Sequence, residues 1–379
     1  MISSISRFWM LIALSFISCL SCCSSDHQTI QSKLNDLVHL NDNPGANFSI
    51  VYSNGEQQNF SSGFADTIKH IKLDPHHVLF SGSIGKTYAV AVLMQLIEER
   101  RIDLNSHFLE YFPSNDWLLQ VPNIRDITIE MLLQHTSGLP RYISAQAVWD
   151  SLQNNPDKTW DYQERLSYIF QMDPVHKPGK GWAYSDTNYL LLGMLIEKIT
   201  GTYYYDEVRR RILDPAKLEN THPATKREID DLPVGYSNLD DFFRMPGIVV
   251  SNGNYIFNPQ MEWTGGGFAS TTSDLAKWAQ LYYEGVFFSR TSLLKIITPN
   301  SHGMETGPNE AYGMGSFIFN TKLGKAYGHT GFIPGFNSIF AYFPDHEIAV
   351  ALQINCDYAS RKTSLVAYLE TLLEGVVNP

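Results

Sequence analysis

Apolar residues recur along this chain at more than one period. Ile30, Leu34, Leu37 and Val38 fall at helical spacing, and Pro44-Gly45 ends the helix they predict. Phe48-Ser49-Ile50-Val51-Tyr52 and Gln58-Asn59-Phe60-Ser61 then flank Ser53-Asn54-Gly55, which predicts a β-hairpin with an Asn-Gly turn. The run from Tyr88 to Ile97 is apolar on nearly every side, the mark of a buried helix rather than an amphipathic surface one. From about Ile102 to Met261 the pattern is mostly helical, with Pro- and Gly-rich connections. Beyond Trp263, Gly265-Gly266-Gly267-Phe268-Ala269-Ser270 leads to Thr272-Ser273-Asp274-Leu275, a capped start for a helix through Lys277, Trp278 and Leu281. Lys325 to Thr330, Phe336 to Phe343 and Glu347 to Asn355 predict three strands, joined by residues 331–335 and 344–346. A closing helix is expected from about Ser360 to Val376.

Strand material at both ends with helices between implies one sheet built from both termini, with a helical insertion as a second lobe. The expected division is an α/β lobe of about residues 30–84 and 262–379 and a helical lobe of about 85–261, with a ligand cleft between them. No internal repeat or low-complexity stretch interrupts this plan. The 379 residues suffice for a proper core, and a net charge of -11 without any Lys/Arg cluster excludes nucleic acid as a partner.

Residues 1–25 differ from the rest. Arg7 precedes the apolar run Phe8 to Ile17, and small residues follow with Cys19, Cys22 and Cys23, as in a secretory signal too short for a comfortable membrane span. The cysteine cluster resembles a bacterial lipoprotein signal, with Cys22, or else Cys19 or Cys23, as the lipidated residue. The expectation is an exported protein of the bacterial envelope, tethered to a membrane by that anchor. Only Cys356 remains in the body, so no internal disulfide framework forms.

The chemistry-bearing stretch is Phe80-Ser81-Gly82-Ser83-Ile84-Gly85-Lys86-Thr87. If Ser83 opens the apolar helix, Lys86 lies on the same face one turn along. Burial lowers a lysine pKa, and an amine so tuned is a base for the serine hydroxyl, with the helix N-terminus favouring an oxyanion. The string Gly85-Lys86-Thr87 also hints at a phosphate loop, but that motif needs glycine where Phe80 stands. A second Ser-x-x-Lys, Ser292 to Lys295, sits among ordinary amphipathic residues and reads as a helix start.

Three further motifs accompany Ser83. They are Ile127 to Pro140, containing His135-Thr136-Ser137-Gly138; Pro178-Gly179 followed by Tyr184-Ser185-Asp186-Thr187-Asn188; and Gly328-His329-Thr330-Gly331. In this order and spacing they resemble the serine β-lactamase and penicillin-binding protein family. The likeness is to its class C branch, with the related D-alanyl-D-alanine carboxypeptidases, D-aminopeptidases and esterases, from about Asn47 to the C-terminus. The resemblance implies an antiparallel sheet flanked by helices plus a mostly helical lobe, and a covalent acyl-enzyme mechanism without a cofactor. Ser83 is then the nucleophile, Lys86 its neighbouring base and Tyr184 a proton shuttle. The backbone N–H groups of Ser83 and Phe332 form the oxyanion hole, and Asp186, His329, Thr330, Gly331 and Phe332 bind substrate. The implied substrates are D-amino-acid peptides, small esters and β-lactams, in that order. The rival reading is a non-catalytic envelope binding protein that kept the cleft and lost turnover.

Two departures stand out. Asp186 occupies a position where the family most often has Asn, and an ionised Asp only accepts hydrogen bonds. It therefore either holds Lys86 or caps the helix beginning at Thr187. His329 replaces the lysine of the usual Lys-Thr-Gly triplet and, at its ordinary pKa near 6.5, is the weaker anion clamp. Turnover of carboxylate-bearing substrates is then expected to fall as pH rises through neutrality. His135 is assigned a structural role. No metal-ligand spacing is present, since His76 and His77 adjoin on an extended segment and point to opposite faces. Lys180, Trp182 and Tyr142 line the cleft or simply pack. Selectivity is assigned to the loops Tyr142 to Trp160 and Asp241 to Tyr255.

Overall fold

A computed structural model describes residues 27–239, 245–300, 305–307 and 310–377. Residues 1–25, with Cys19, Cys22 and Cys23, and the start of the Asp241 loop lie outside them. Among the described residues no helix is long and apolar enough to cross a membrane.

Helix α1 (residues 27–40) leads into strands β1 (Gly45–Val51) and β2 (Gln57–Asp66), the hairpin foreseen from the sequence. Gly55, at φ 81°, provides the left-handed residue of its turn. After β3 (Ile71–Lys72) and β4 (Leu79–Phe80), a single 3-10 turn, Gly82–Gly85, opens α2 (Lys86–Glu98). This helix is buried on nearly all sides, as its uninterrupted apolar sequence requires. Then come α3 (Ile129–Leu133), N-capped by the Thr128 hydroxyl, and α4 (Asp186–Thr200), closed by Gly201 in the left-handed conformation. Residues beyond β5 (Thr221–Pro223) alternate short strands with loops, so the second half of the middle region is not the helical stretch its pattern predicted. The chain continues through β6 (Phe268–Ser270), α5 (Thr272–Tyr283), β7 (Glu305–Gly307), β8 (Glu310–Tyr312), β9 (Phe317–Thr321), β10 (Gly324–Ile333), β11 (Phe336–Phe343), β12 (Ile348–Ile354) and α6 (Leu365–Leu373).

Nine strands form one antiparallel sheet in the order β7-β8-β9-β10-β11-β12-β1-β2-β3, so the chain ends meet at its centre. Phe48 of β1 stands opposite Leu352 of β12 and Phe60 of β2. Because side chains alternate along a strand, Phe48, Ile50, Val350 and Leu352 pack under α1 and α6 with Leu34 and Leu372. Small groups on the other face, Ser49, Ala349 and Ala351, admit α5, and the Ser49 hydroxyl donates to the Thr272 oxygen at 2.8 Å. The result is a mixed α/β architecture, an antiparallel sheet flanked by helices, with α2 at the centre of the larger core.

Two expected boundaries move. Strand β10 runs on through Gly331 to Ile333, so the Thr330-Gly331-Phe332 stretch lies on a strand edge and not in a connection; the turn shrinks to Pro334-Gly335. The closing helix breaks at Thr363, and Ser364 recaps α6 by accepting the Ala367 N–H at 3.1 Å. The second Ser-x-x-Lys lies inside a helix that begins at Arg290, capped by Ser289.

Candidate active site

The 3-10 turn bearing Ser83 is clamped between two strands. Ser81 is fully buried; its N–H and hydroxyl both donate to Phe268 O of β6, and its carbonyl accepts the Ser338 hydroxyl of β11 at 2.8 Å. Strand β10 passes so close that a Cβ on Gly331 would lie 1.9 Å from Ser81 O, and one on Gly82 would lie 2.5 Å from the Phe332 nitrogen. Glycine is thus obligatory at 331, and at 82 it also supplies a φ of 51°. The contact brings the Ser83 turn and the Phe332 backbone to one edge of a cleft. Ser83, Arg141 and Phe332 line both arms of that cleft, one of about 340 Å³ and one of about 540 Å³.

Lys86 lies at the floor, fully buried. Its Nζ donates to Ser83 Oγ at 3.0 Å, to Asp186 Oδ1 at 2.8 Å and to Gly265 O at 2.5 Å. Asp186 is the first residue of α4 and does not cap it; its other oxygen takes Arg141 Nη2 at 2.7 Å and Nε at 3.1 Å. Burial raises the Asp186 carboxyl, but Lys86 and Arg141 together hold it well below the usual carboxylate range. Burial likewise pushes the Lys86 ammonium down, yet the Asp186 charge, reinforced by Tyr184, holds it above its ordinary value. The resting Lys86 is therefore an ammonium and not the lowered-pKa base its sequence position promised. The cause is the aspartate at 186.

Tyr184 comes from the segment before α4, its ring centroid 5.0 Å from Lys86 Nζ and 4.3 Å from the His135 ring. Its buried hydroxyl makes no hydrogen bond of ordinary geometry, although Lys86 and Ser83 are near enough to bear on its proton. Burial raises this phenol, Lys86 pulls it back, and Asp186 raises it again, so the net shift is upward. Proximity to Lys86 was expected to favour the phenolate; burial and Asp186 outweigh it.

His329, almost fully buried, sits in the larger arm. Nδ1 donates to Thr330 O at 2.6 Å, which leaves Nε2 to accept the Tyr312 hydroxyl at 3.1 Å. Burial first, and the Lys86 charge second, push its pKa down to about 3. The expectation of a histidine losing its charge through neutrality is overturned: this ring is already neutral well below pH 6. Thr330, Gly331 and Phe332 line the same arm, Phe332 with 40% of its surface exposed. His135 is a structural residue: Nδ1 accepts the Ser185 N–H at 3.2 Å and the Asn188 side-chain N–H at 2.8 Å, which ties the His135-Thr136-Ser137-Gly138 turn to α4. Tyr142 is buried with its hydroxyl on Met261 O, Trp182 lines the larger arm, and Lys180 is exposed away from both.

Two charged residues escaped the sequence reading. Arg141 follows the Gly138-Leu139-Pro140 turn and supplies a second cation to Asp186. A carboxylate in a helix's first turn beside a lysine was the only hint that one was needed. Glu262, partly exposed in the smaller arm, precedes Trp263, whose φ of 41° turns the chain so that Gly265 O faces Lys86. Burial, aided by the Asp186 charge, pushes Glu262 up to about 7 against the pull of Lys86, Arg141 and Arg165. Nothing in its spacing marks it. Among the described residues no three His, Cys, Asp or Glu side chains gather where they would hold a metal ion.

A buried Ser-x-x-Lys pair on the central helix, a tyrosine from the helical side and a strand edge carrying His-Thr-Gly define a serine hydrolase of the β-lactamase and penicillin-binding-protein type. Residues 32–373 match the family model described as Beta-lactamase, and the chain belongs to that family. Penicillin-binding protein 4* of Bacillus subtilis (strain 168) is 28% identical over 327 residues, covering 83% of this chain and 67% of that protein. A D-stereospecific amidohydrolase from Streptomyces sp. superposes with a TM-score of 0.79 at 26% identity, over 93% of this chain and 99% of its own. The D-amino acid amidase from Ochrobactrum anthropi SV3 superposes with a TM-score of 0.73 at 25% identity, over 92% and 98%.

Proposed function

We propose that this chain hydrolyses an amide or ester of a D-amino acid through an acyl-enzyme on Ser83. The observation that carries this is the 3.0 Å contact between Lys86 Nζ and Ser83 Oγ at the floor of a cleft edged by the Phe332 backbone. The amidohydrolase and amidase likenesses add weight to a D-amino-acid amide as substrate. In this reading Ser83 Oγ bonds to the substrate carbonyl carbon while its proton passes to Tyr184, in the minor phenolate form that Lys86 favours. The carbonyl oxygen becomes an oxyanion held by the Ser83 and Phe332 N–H groups. Tyr184 then gives its proton to the departing amine or alcohol as the carbon–heteroatom bond breaks, and water repeats the sequence to release the acid.

A second reading has one observation in its favour: the Lys86-Asp186 ion pair keeps the lysine protonated and leaves the phenol neutral, as befits a binding protein that has lost turnover. A fluorophosphonate probe and a panel of D-phenylalanine amide, p-nitrophenyl esters and nitrocefin separate the two. The hydrolase labels on Ser83 and turns over at least one of the substrates, and Ser83→Ala does neither. Labelling without any turnover supports the binding protein. We propose further that residues 1–25 export the chain and that Cys22 carries a lipid; Cys22→Ser should then abolish incorporation of labelled palmitate in a bacterial host.

A further inference from the structure

The smaller arm of the cleft contains an acid that the proposed chemistry leaves unused. Glu262 lines it together with Ser83, Arg141 and Asp186, and the apolar side chains of Ile143 and Pro334 form part of its wall. A Cβ built on Gly265 would lie 3.6 Å from Glu262 Oε2 and 3.8 Å from Lys86 Nζ, so the carboxyl and the nucleophile's lysine share one corner of the site. They do not pair. Lys86 spends its three donors on Ser83, Asp186 and Gly265, and Arg141 is turned onto Asp186. Among the described residues Glu262 makes no ion pair, whereas Asp186, the other acid of this arm, holds two cations. The Glu262 carboxyl, partly exposed to the arm, feels Lys86, Arg141 and Arg165 but pairs with none of them, so a cation brought by the ligand can take the ion-pair position.

We infer that Glu262 receives the α-ammonium of the substrate, so that the cleft selects amino-acid amides and esters with a free amino group and an apolar side chain, the latter lying against Ile143 and Pro334. The inference rests on the reading of Ser83 as the acylated residue, which fixes where the substrate's α-carbon lies. It also assigns the 340 Å³ arm a ligand of suitable size, since small-molecule sites begin near 300 Å³. The groups facing Glu262 set its pH window: burial and Asp186 hold its carboxyl at about 7, against Lys86, Arg141 and Arg165. It is ionised above that value. A substrate α-amino group is charged below about 8, so binding is tightest between the two.

Calorimetry on the full chain carrying Ser83→Ala tests this without requiring turnover. D-phenylalanine amide should bind at least about tenfold more weakly when Glu262→Gln is added, a loss of about 1.4 kcal/mol. N-acetyl-D-phenylalanine amide, which lacks the charge, should bind equally to both. The Glu262→Gln melting temperature, measured alongside, should stay within a few degrees. Unchanged affinity for the free amine, or an equal loss for both ligands, overturns the inference. Absence of fluorophosphonate labelling on the wild type would sink the Ser83 reading instead, and the two failures are thereby told apart.

Discussion

An asparagine at position 186 would give Lys86 a neutral partner; the aspartate gives it a charge, and the proton states of the whole cleft follow. With Asp186 ionised, Lys86 stays an ammonium and Tyr184 a neutral phenol. A phenol whose pKa exceeds the ordinary value of about 10 is ionised in fewer than roughly one molecule in a thousand at pH 7. The rate should therefore climb with pH through neutrality and beyond, tracking the phenolate. Asp186→Asn removes one charge that raises Tyr184 and frees Lys86 to lower it, so its kcat/KM profile should rise at lower pH and its activity at pH 7 should exceed the wild type severalfold. An unshifted profile contradicts that ordering of charges. Asp186→Ala instead strands a buried ammonium and should cost about 3 kcal/mol of stability, read from denaturant unfolding. His329 gives a second prediction: its ring nitrogen shifts should stay flat between pH 5 and 8, with the proton on Nδ1. Of these residues Ser83, Lys86, Tyr184 and His329 were legible as types at fixed spacings. Their proton states were not, because those depend on burial and on the charge of Asp186, which folding pairs with Arg141 from 45 residues away.

Among the elements, β10 and the Ser83 turn act as one unit. Gly331 lets the strand edge reach the Ser81 carbonyl, and the Ser338 hydroxyl locks that carbonyl from the neighbouring strand. Gly331→Ala forces the two backbones apart. It should cost at least about 1–3 kcal/mol of stability and abolish fluorophosphonate labelling, because the Phe332 N–H moves away from Ser83. A labelled, stable Gly331→Ala would contradict this placement of the oxyanion hole. The central strands β1, β11 and β12 were readable because they are rich in aromatic and β-branched or other apolar residues and are bounded by turn residues. The outer strands β7 and β8 have three residues each and little apolar content, too short to show a period. The break before α6 lay in Thr363-Ser364, a capping signal inside an otherwise helical pattern.

The whole molecule has an alkaline weakness built into its cores. Tyr142, Tyr189, Tyr204, Tyr255, Tyr282 and Tyr312 are buried with phenols held well above their ordinary value by burial. A group raised on folding contributes its stability below the unfolded pKa, near 10, and loses it as pH rises beyond. Six such phenols together remove about 8 kcal/mol per pH unit above 10, as much as a typical domain's entire stability. Unfolding should therefore begin about one unit above pH 10, with ionisation of these six phenols and circular dichroism changing together; titration of all 20 tyrosines ahead of unfolding would contradict their burial. The arrangement of one sheet from both termini around a helical middle was legible from the order of periods along the chain. The strand-rich stretch after Thr221 was not, since its segments, two to four residues long, are too short to show a period, whether they pair with β6 or with one another. At this scale every part of the fold serves to hold one hydroxyl beside one amine at the edge of a cleft. The direct test is peptide mapping by mass spectrometry after acid quench of the wild type with a p-nitrophenyl ester of D-phenylalanine. A phenylalanyl adduct on the peptide containing Ser83, absent in Ser83→Ala, is the predicted result; turnover of the ester with no adduct there, or with an adduct elsewhere, contradicts it.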